Sequence, residues 1–146
     1  MNKIFQASKI KLFSLLFLTL LFFLKCDKQD SPVPYVYVNL SIYLDDPAFV
    51  DLKIPGNSVN ITGGVNGIVV YRVSDVEFVA FDRTCTYQVE ENCHVNTDDS
   101  GIFLVDEECC SARFSILDGS PQEGLAKYPL LQYQTSLNGY LLRIFN

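Results

Sequence analysis

The sequence predicts a small all-β domain of antiparallel sheets, carried behind an N-terminal export signal. Three observations carry this expectation. Apolar residues alternate with polar ones over short stretches, the period of a half-buried strand. Clusters of Gly, Asn, Asp and Pro punctuate those stretches at short intervals. After residue 26, almost nothing has the spacing of an amphipathic helix. The 146 residues are 49% hydrophobic and 13% aromatic. A chain of this size and composition holds one domain with a targeting segment and buries a core rather than staying disordered.

Residues 1–25 have the pattern of a lipoprotein signal peptide. Lys3, Lys9 and Lys11 form a positive start, and Leu12 to Leu24 is an apolar run. That run falls short of the roughly 20 residues a spanning helix needs and suits the hydrophobic part of a signal. Cys26 follows, expected as the lipidated first residue of the mature chain, with Lys25 standing where such signals carry a small residue. A polar tether over residues 26–34 then leads into a domain over 35–146. All 17 acidic side chains lie beyond Cys26, whereas four of the 11 basic ones precede it, so the mature chain carries net charge −10. Such a surface repels nucleic acid phosphates and anionic membranes. Membrane contact is therefore expected through the lipid at Cys26, with no nucleic acid partner and an unidentified protein partner. The location expected is the bacterial cell envelope, on the periplasmic or outer-membrane side.

Within the domain, Val36, Val38, Leu40, Ile42 and Leu44 alternate with polar residues and predict a first strand. Phe49 to Ile54 reads as a second, stopped by Pro55-Gly56-Asn57. Gly63-Gly64-Val65-Asn66-Gly67 predicts a turn, because glycines supply the positive φ angles that tight turns require. Ile68 to Val73 and Val76 to Phe81 form a hairpin about Ser74-Asp75. Gly101 to Val105, Arg113 to Leu117 and Tyr140 to Phe145 are further strands, with turns at Asp118-Gly119-Ser120-Pro121 and Asn138-Gly139.

The chain has one histidine, His94. A nucleophile–histidine–carboxylate arrangement would need it as the base, and no nucleophile-elbow pattern accompanies it. It reads as an exposed loop imidazole. Asp98-Asp99 and Asp106-Glu107-Glu108 match no calcium loop and read as solvated acidic turns. Cys85, Cys93, Cys109 and Cys110 remain after Cys26, an even number that suits two disulfides in an exported domain. A bridge between the adjacent Cys109 and Cys110 would be strained. Two connectivities stay open.

The cysteines and turns together resemble the Rieske [2Fe–2S] domain. That family has a first loop C-x-H after a strand and a second loop C-x-x-H-G-S-x-F, followed by a D-G-S-P stretch and a last apolar strand. Here Ala80-Phe81, Cys85-Thr86-Tyr87, Arg113-Phe114 and Asp118-Gly119-Ser120-Pro121 fall in that order. Gly124-Leu125-Ala126, Pro129-Leu130, Tyr133 and Leu141 to Ile144 complete it, so the resemblance spans the mature domain. It implies a small Rieske-like β fold with two apposed loops. The family's cluster takes two thiolates and two imidazoles. Carried over, Cys85 matches the first thiolate, Tyr87 stands at the first imidazole, Glu107 at the second thiolate and Cys110 at the second imidazole. One ligand of four survives in type. The resemblance further implies a Cys93–Cys109 disulfide, across a first loop longer by three residues, which leaves Cys85–Cys110 as a second bridge in the former cluster site. The expectation is a non-enzymatic binding or structural lipoprotein with no cofactor. The alternatives are an electron-transfer ferredoxin with an atypical 2Fe–2S cluster, and a thiol-redox or zinc-binding protein.

Overall fold

The computed structural model describes residues 31–106, 109 and 111–146. The expected signal peptide, Cys26, Glu107 and Cys110 lie outside the described residues. The packed unit starts at Ser31. Val33, which sequence reasoning placed in the tether, is buried, so packing begins two residues before Tyr35.

The described residues form ten strands: β1 (Asn39–Tyr43), β2 (Ser58–Ile61), β3 (Ile68–Arg72), β4 (Phe78–Asp82), β5 (Asn96–Thr97), β6 (Phe103–Asp106), β7 (Ala112–Ser115), β8 (Pro121–Glu123), β9 (Gln132–Asn138) and β10 (Leu141–Phe145). They form a six-stranded sheet in the order β1-β10-β9-β4-β3-β2 and a four-stranded sheet in the order β5-β6-β7-β8, with antiparallel pairing throughout. Two 3-10 helices, Pro47–Lys53 and Val89–Glu91, are the only helices among the described residues.

β3 and β4 read as unbroken apolar runs because they are buried on both faces. One face presents Val69, Tyr71, Val79 and Phe81 to the small sheet, where they meet Leu104, Phe114 and Ile116. The opposite face presents Ile68, Val70, Phe78 and Ala80 to a second core, shared with Ile42, Leu142 and Ile144. The cross-strand register explains the division, since Val69 faces Phe81 and Val70 faces Ala80. β1 and β10 are covered on one face only, and their alternation is correspondingly clean.

The segment expected as a strand over Phe49 to Ile54 is helical instead. Asp46 caps the 3-10 helix, its carboxylate accepting the Ala48 N–H at 2.8 Å, and Pro47 sets the first turn. Phe49 and Leu52, three apart, face the core, whereas Val50 and Ile54 are exposed. The apolar spacing here is the three of a 3-10 turn and not the two of a strand. β2, β5, β8 and β9 were not anticipated. In β2 and β9 the less exposed residues (Val59 and Ile61; Tyr133, Thr135 and Leu137) do alternate, but Asn60, Gln132, Gln134 and Ser136 gave them a loop's composition.

Candidate functional site

β4 runs directly into the first loop, and the second loop begins where β6 ends. The β4 terminus is set by Asp82, a fully buried carboxylate. Asp82 accepts from the Val65 N–H (2.7 Å), the Asn66 N–H (3.4 Å), the Thr84 N–H (3.0 Å), the Thr84 hydroxyl and the Tyr133 hydroxyl (2.8 Å). One side chain thus joins the glycine turn to β9 and to the residue before Cys85. Gly64 admits this arrangement. Its φ is +62°, and a Cβ there would overlap both Asp82 and the Tyr133 hydroxyl. Burial, then the hydrogen bond and the charge of Asp82, raise the Tyr133 phenol well above its ordinary pKa.

The first loop closes as a narrow hairpin. Thr84 bridges His94, the Cys85 N–H donates to the Cys93 carbonyl at 2.9 Å, and the Val95 N–H donates to the Arg83 carbonyl at 2.7 Å. Alternation then sends Cys93 and Val95 inward and leaves His94 exposed. His94 lines an outer polar cleft with Asn96, Asp98 and Arg113, facing away from the loop interior. Thr86 ties the loop to its neighbour by donating to the Tyr128 carbonyl at 2.6 Å. Gln88 and Asn92, on either side of the short helix, take left-handed backbone angles.

Inside the first loop, Cys85 is fully buried and shares an apolar cluster with Cys93, Val95 and Leu130. The half-buried Tyr87 packs against the same cluster. Cys93 and Cys109 are joined by a disulfide across a Cα–Cα distance of 6.1 Å, tying the first loop to the second. The Cys109 N–H donates to Asp106 at 3.0 Å. Asp106 had been expected in a solvated acidic turn. It is buried, because it is the last residue of β6 and faces inward opposite Ala112. The expected Cys85–Cys110 bridge and the role of Glu107 rest on residues outside those described.

The fold places these loops as a recognised architecture does. A Rieske protein of the Synechocystis plasma membrane superposes with a TM-score of 0.54 at 22% identity, over 77% of this chain and all of the other. The ferredoxin of carbazole 1,9a-dioxygenase from Nocardioides aromaticivorans superposes with a TM-score of 0.51 at 15% identity, covering 76% of this chain and 98% of its own. The chain has a Rieske-type fold. A chain from a complex of oxygenase and ferredoxin in carbazole 1,9a-dioxygenase matches similarly, with a TM-score of 0.53 at 20% identity over 74% of this chain and 93% of the other. No family model and no curated protein matches.

Within this Rieske-like domain, the structure brings together Cys85, Tyr87, Cys93 and Cys109, which sequence reasoning had singled out. It leaves His94 outside. Sequence reasoning missed Asp82 and its partners as a unit. The available signal was an acidic residue ending the otherwise apolar run from Phe78 to Phe81, one hairpin after a glycine-rich turn.

Proposed function

We propose that this chain is an envelope lipoprotein whose Rieske-like domain has lost the conventional [2Fe–2S] cluster and serves as a non-enzymatic binding or structural module. The observation that carries the reading is the packing of Tyr87 into the apolar cluster around Cys85, at the position of the first imidazole ligand. The residues present do not fit a Rieske cluster. That cluster takes two imidazoles on one iron and two thiolates on the other. This chain has a single histidine, and its ring faces outward. Cys93 and Cys109 are occupied by each other. The scaffold that elsewhere presents a cluster here presents two loops closed by covalent and hydrogen-bonded ties.

Purified aerobically in detergent, the full-length protein is expected to be colourless and free of iron. A brown protein with stoichiometric iron and acid-labile sulfide would instead establish an electron-transfer ferredoxin with an atypical cluster.

The anchor belongs to the same reading. Each acyl methylene buried in a bilayer contributes about 0.8 kcal/mol, so several chains on Cys26 would hold the protein stably at a membrane. Cys26→Ser is expected to release a soluble form or leave an unprocessed precursor, read by fractionation and intact mass. Fully processed Cys26→Ser protein that remains with membranes would contradict lipidation.

A further inference from the structure

The Cys93–Cys109 disulfide lies beside a buried carboxylate, an arrangement that a tie between loops does not require. The sulfurs of Cys93 and Cys109 and a carboxylate oxygen of Asp106 all lie within 4.8 Å of one another. Cys93 and Asp106 are buried, whereas Cys109 is exposed. We propose that reduction of the Cys93–Cys109 disulfide opens a site for a thiophilic divalent cation of the zinc class, held by Cys93 Sγ, Cys109 Sγ and a carboxylate oxygen of Asp106. This goes beyond the loss of the iron–sulfur cluster and uses none of the four cluster-ligand positions.

The distances favour it. Tetrahedral zinc binds sulfur at about 2.3 Å, which places two ligating sulfurs about 3.8 Å apart. The Cα–Cα distance of 6.1 Å accommodates that separation by side-chain rotation. The Asp106 oxygen needs little displacement to approach a metal between the two sulfurs, since it already lies within 4.8 Å of both. Two thiolates and one carboxylate leave a fourth position for water, the open form of a zinc site. The second loop is pre-shaped for this, because Asp106 already accepts the Cys109 N–H and holds that cysteine beside β6.

In vitro a phosphine can supply the two electrons, and the physiological reductant is of the dithiol class. Its thiolate attacks the exposed Cys109 sulfur, the S–S bond breaks and Cys93 leaves as a thiolate. The second thiol of the reductant then displaces Cys109 and becomes half of a new disulfide. Two electrons pass from the dithiol to the protein, and its two protons end on Cys93 and Cys109. Metal binding afterwards releases those protons. The metal would then replace the disulfide as the link between the loops.

The test is a Co²⁺ and Zn²⁺ titration of the full-length protein in detergent, oxidised and after anaerobic reduction with a phosphine. Oxidised protein should bind neither metal, and reduced protein should bind one equivalent. The cobalt form should show thiolate charge-transfer bands and the strong d–d bands of a tetrahedral site. Asp106→Asn should weaken binding at least about tenfold, and Cys93→Ser should remove the charge-transfer intensity of one thiolate. Should Asp106→Asn fail to fold, cadmium NMR of the reduced wild type reads the number of sulfur ligands directly, with two expected. Three outcomes would overturn the proposal: no binding after reduction, equal binding before reduction, or binding lost in Cys85→Ala but unchanged in Asp106→Asn. Iron and sulfide content is measured separately, so failure here leaves the reading of the lost cluster standing.

Discussion

Replacing Asp82 by alanine is expected to destabilise the domain by about 3–5 kcal/mol, measured by urea unfolding. The carboxylate accepts from two N–H groups of the glycine turn, from the N–H and hydroxyl of Thr84, and from the Tyr133 hydroxyl. Removing it orphans several donors away from water, and each orphan costs about 1–3 kcal/mol. A loss of this size is a large share of the about 5–15 kcal/mol that holds a domain folded. Asp82→Asn keeps the shape but turns an amide toward groups that are themselves donors, so most of the loss should persist. Tyr133→Phe removes one charge-assisted bond and should cost about 1.5–3 kcal/mol. It should also flatten the alkaline limb of the stability curve. The folded pKa of Tyr133 lies above the ordinary value of about 10. Above that pH the unfolded chain loses the phenolic proton first, so stability present below about pH 10 declines as pH rises toward the folded pKa. An Asp82→Asn variant within about 0.5 kcal/mol of wild type would show that the network does not support the fold.

Joint substitution of Cys93→Ser and Cys109→Ser is expected to cost about 3 kcal/mol, the chain-entropy value for so short a closed loop. The two cysteines are 16 residues apart. For a domain near 110 residues the melting temperature should fall by roughly 10–15 °C. The double variant is preferred, because a single one leaves a thiol beside Cys85. Hydrogen exchange should quicken between Thr84 and Val95 and leave β3 and β4 protected, since those strands are buried on both faces. A loss below about 1 kcal/mol would show that the first loop is held by its other contacts, such as the Thr86 hydrogen bond to the Tyr128 carbonyl, rather than by the disulfide.

Asp82 and the disulfide hold opposite ends of the first loop. Asp82 sets the strand end from which the first loop departs, and the disulfide sets where that loop meets the second. Function rests on the residues at these loops rather than on the fold.

Much of the architecture was legible in the residues themselves. Period-two alternation placed β1 and β10, unbroken apolar runs placed β3 and β4, and glycine and asparagine pairs placed the turns between them. The number of histidines also needed no structure, because a two-imidazole cluster cannot be assembled from His94 alone. Other features are decided only when distant segments meet. Phe49 and Leu52 carry too few apolar residues to distinguish a helical turn from a strand until Asp46 caps the segment and the core covers one side. β9 is mostly polar, and only pairing with β4 and β10 makes it a strand. Asp82 and Asp106 are both acidic residues ending apolar runs and would suit solvent equally well in a list of residues. Their burial follows from donors that arrive from elsewhere, from Val65 and Tyr133 for Asp82 and from Cys109 for Asp106. Local sequence encodes which segments extend and where they turn, because those depend on neighbours along the chain. The state of a buried charge depends on neighbours across the fold, and the tertiary structure alone supplies them.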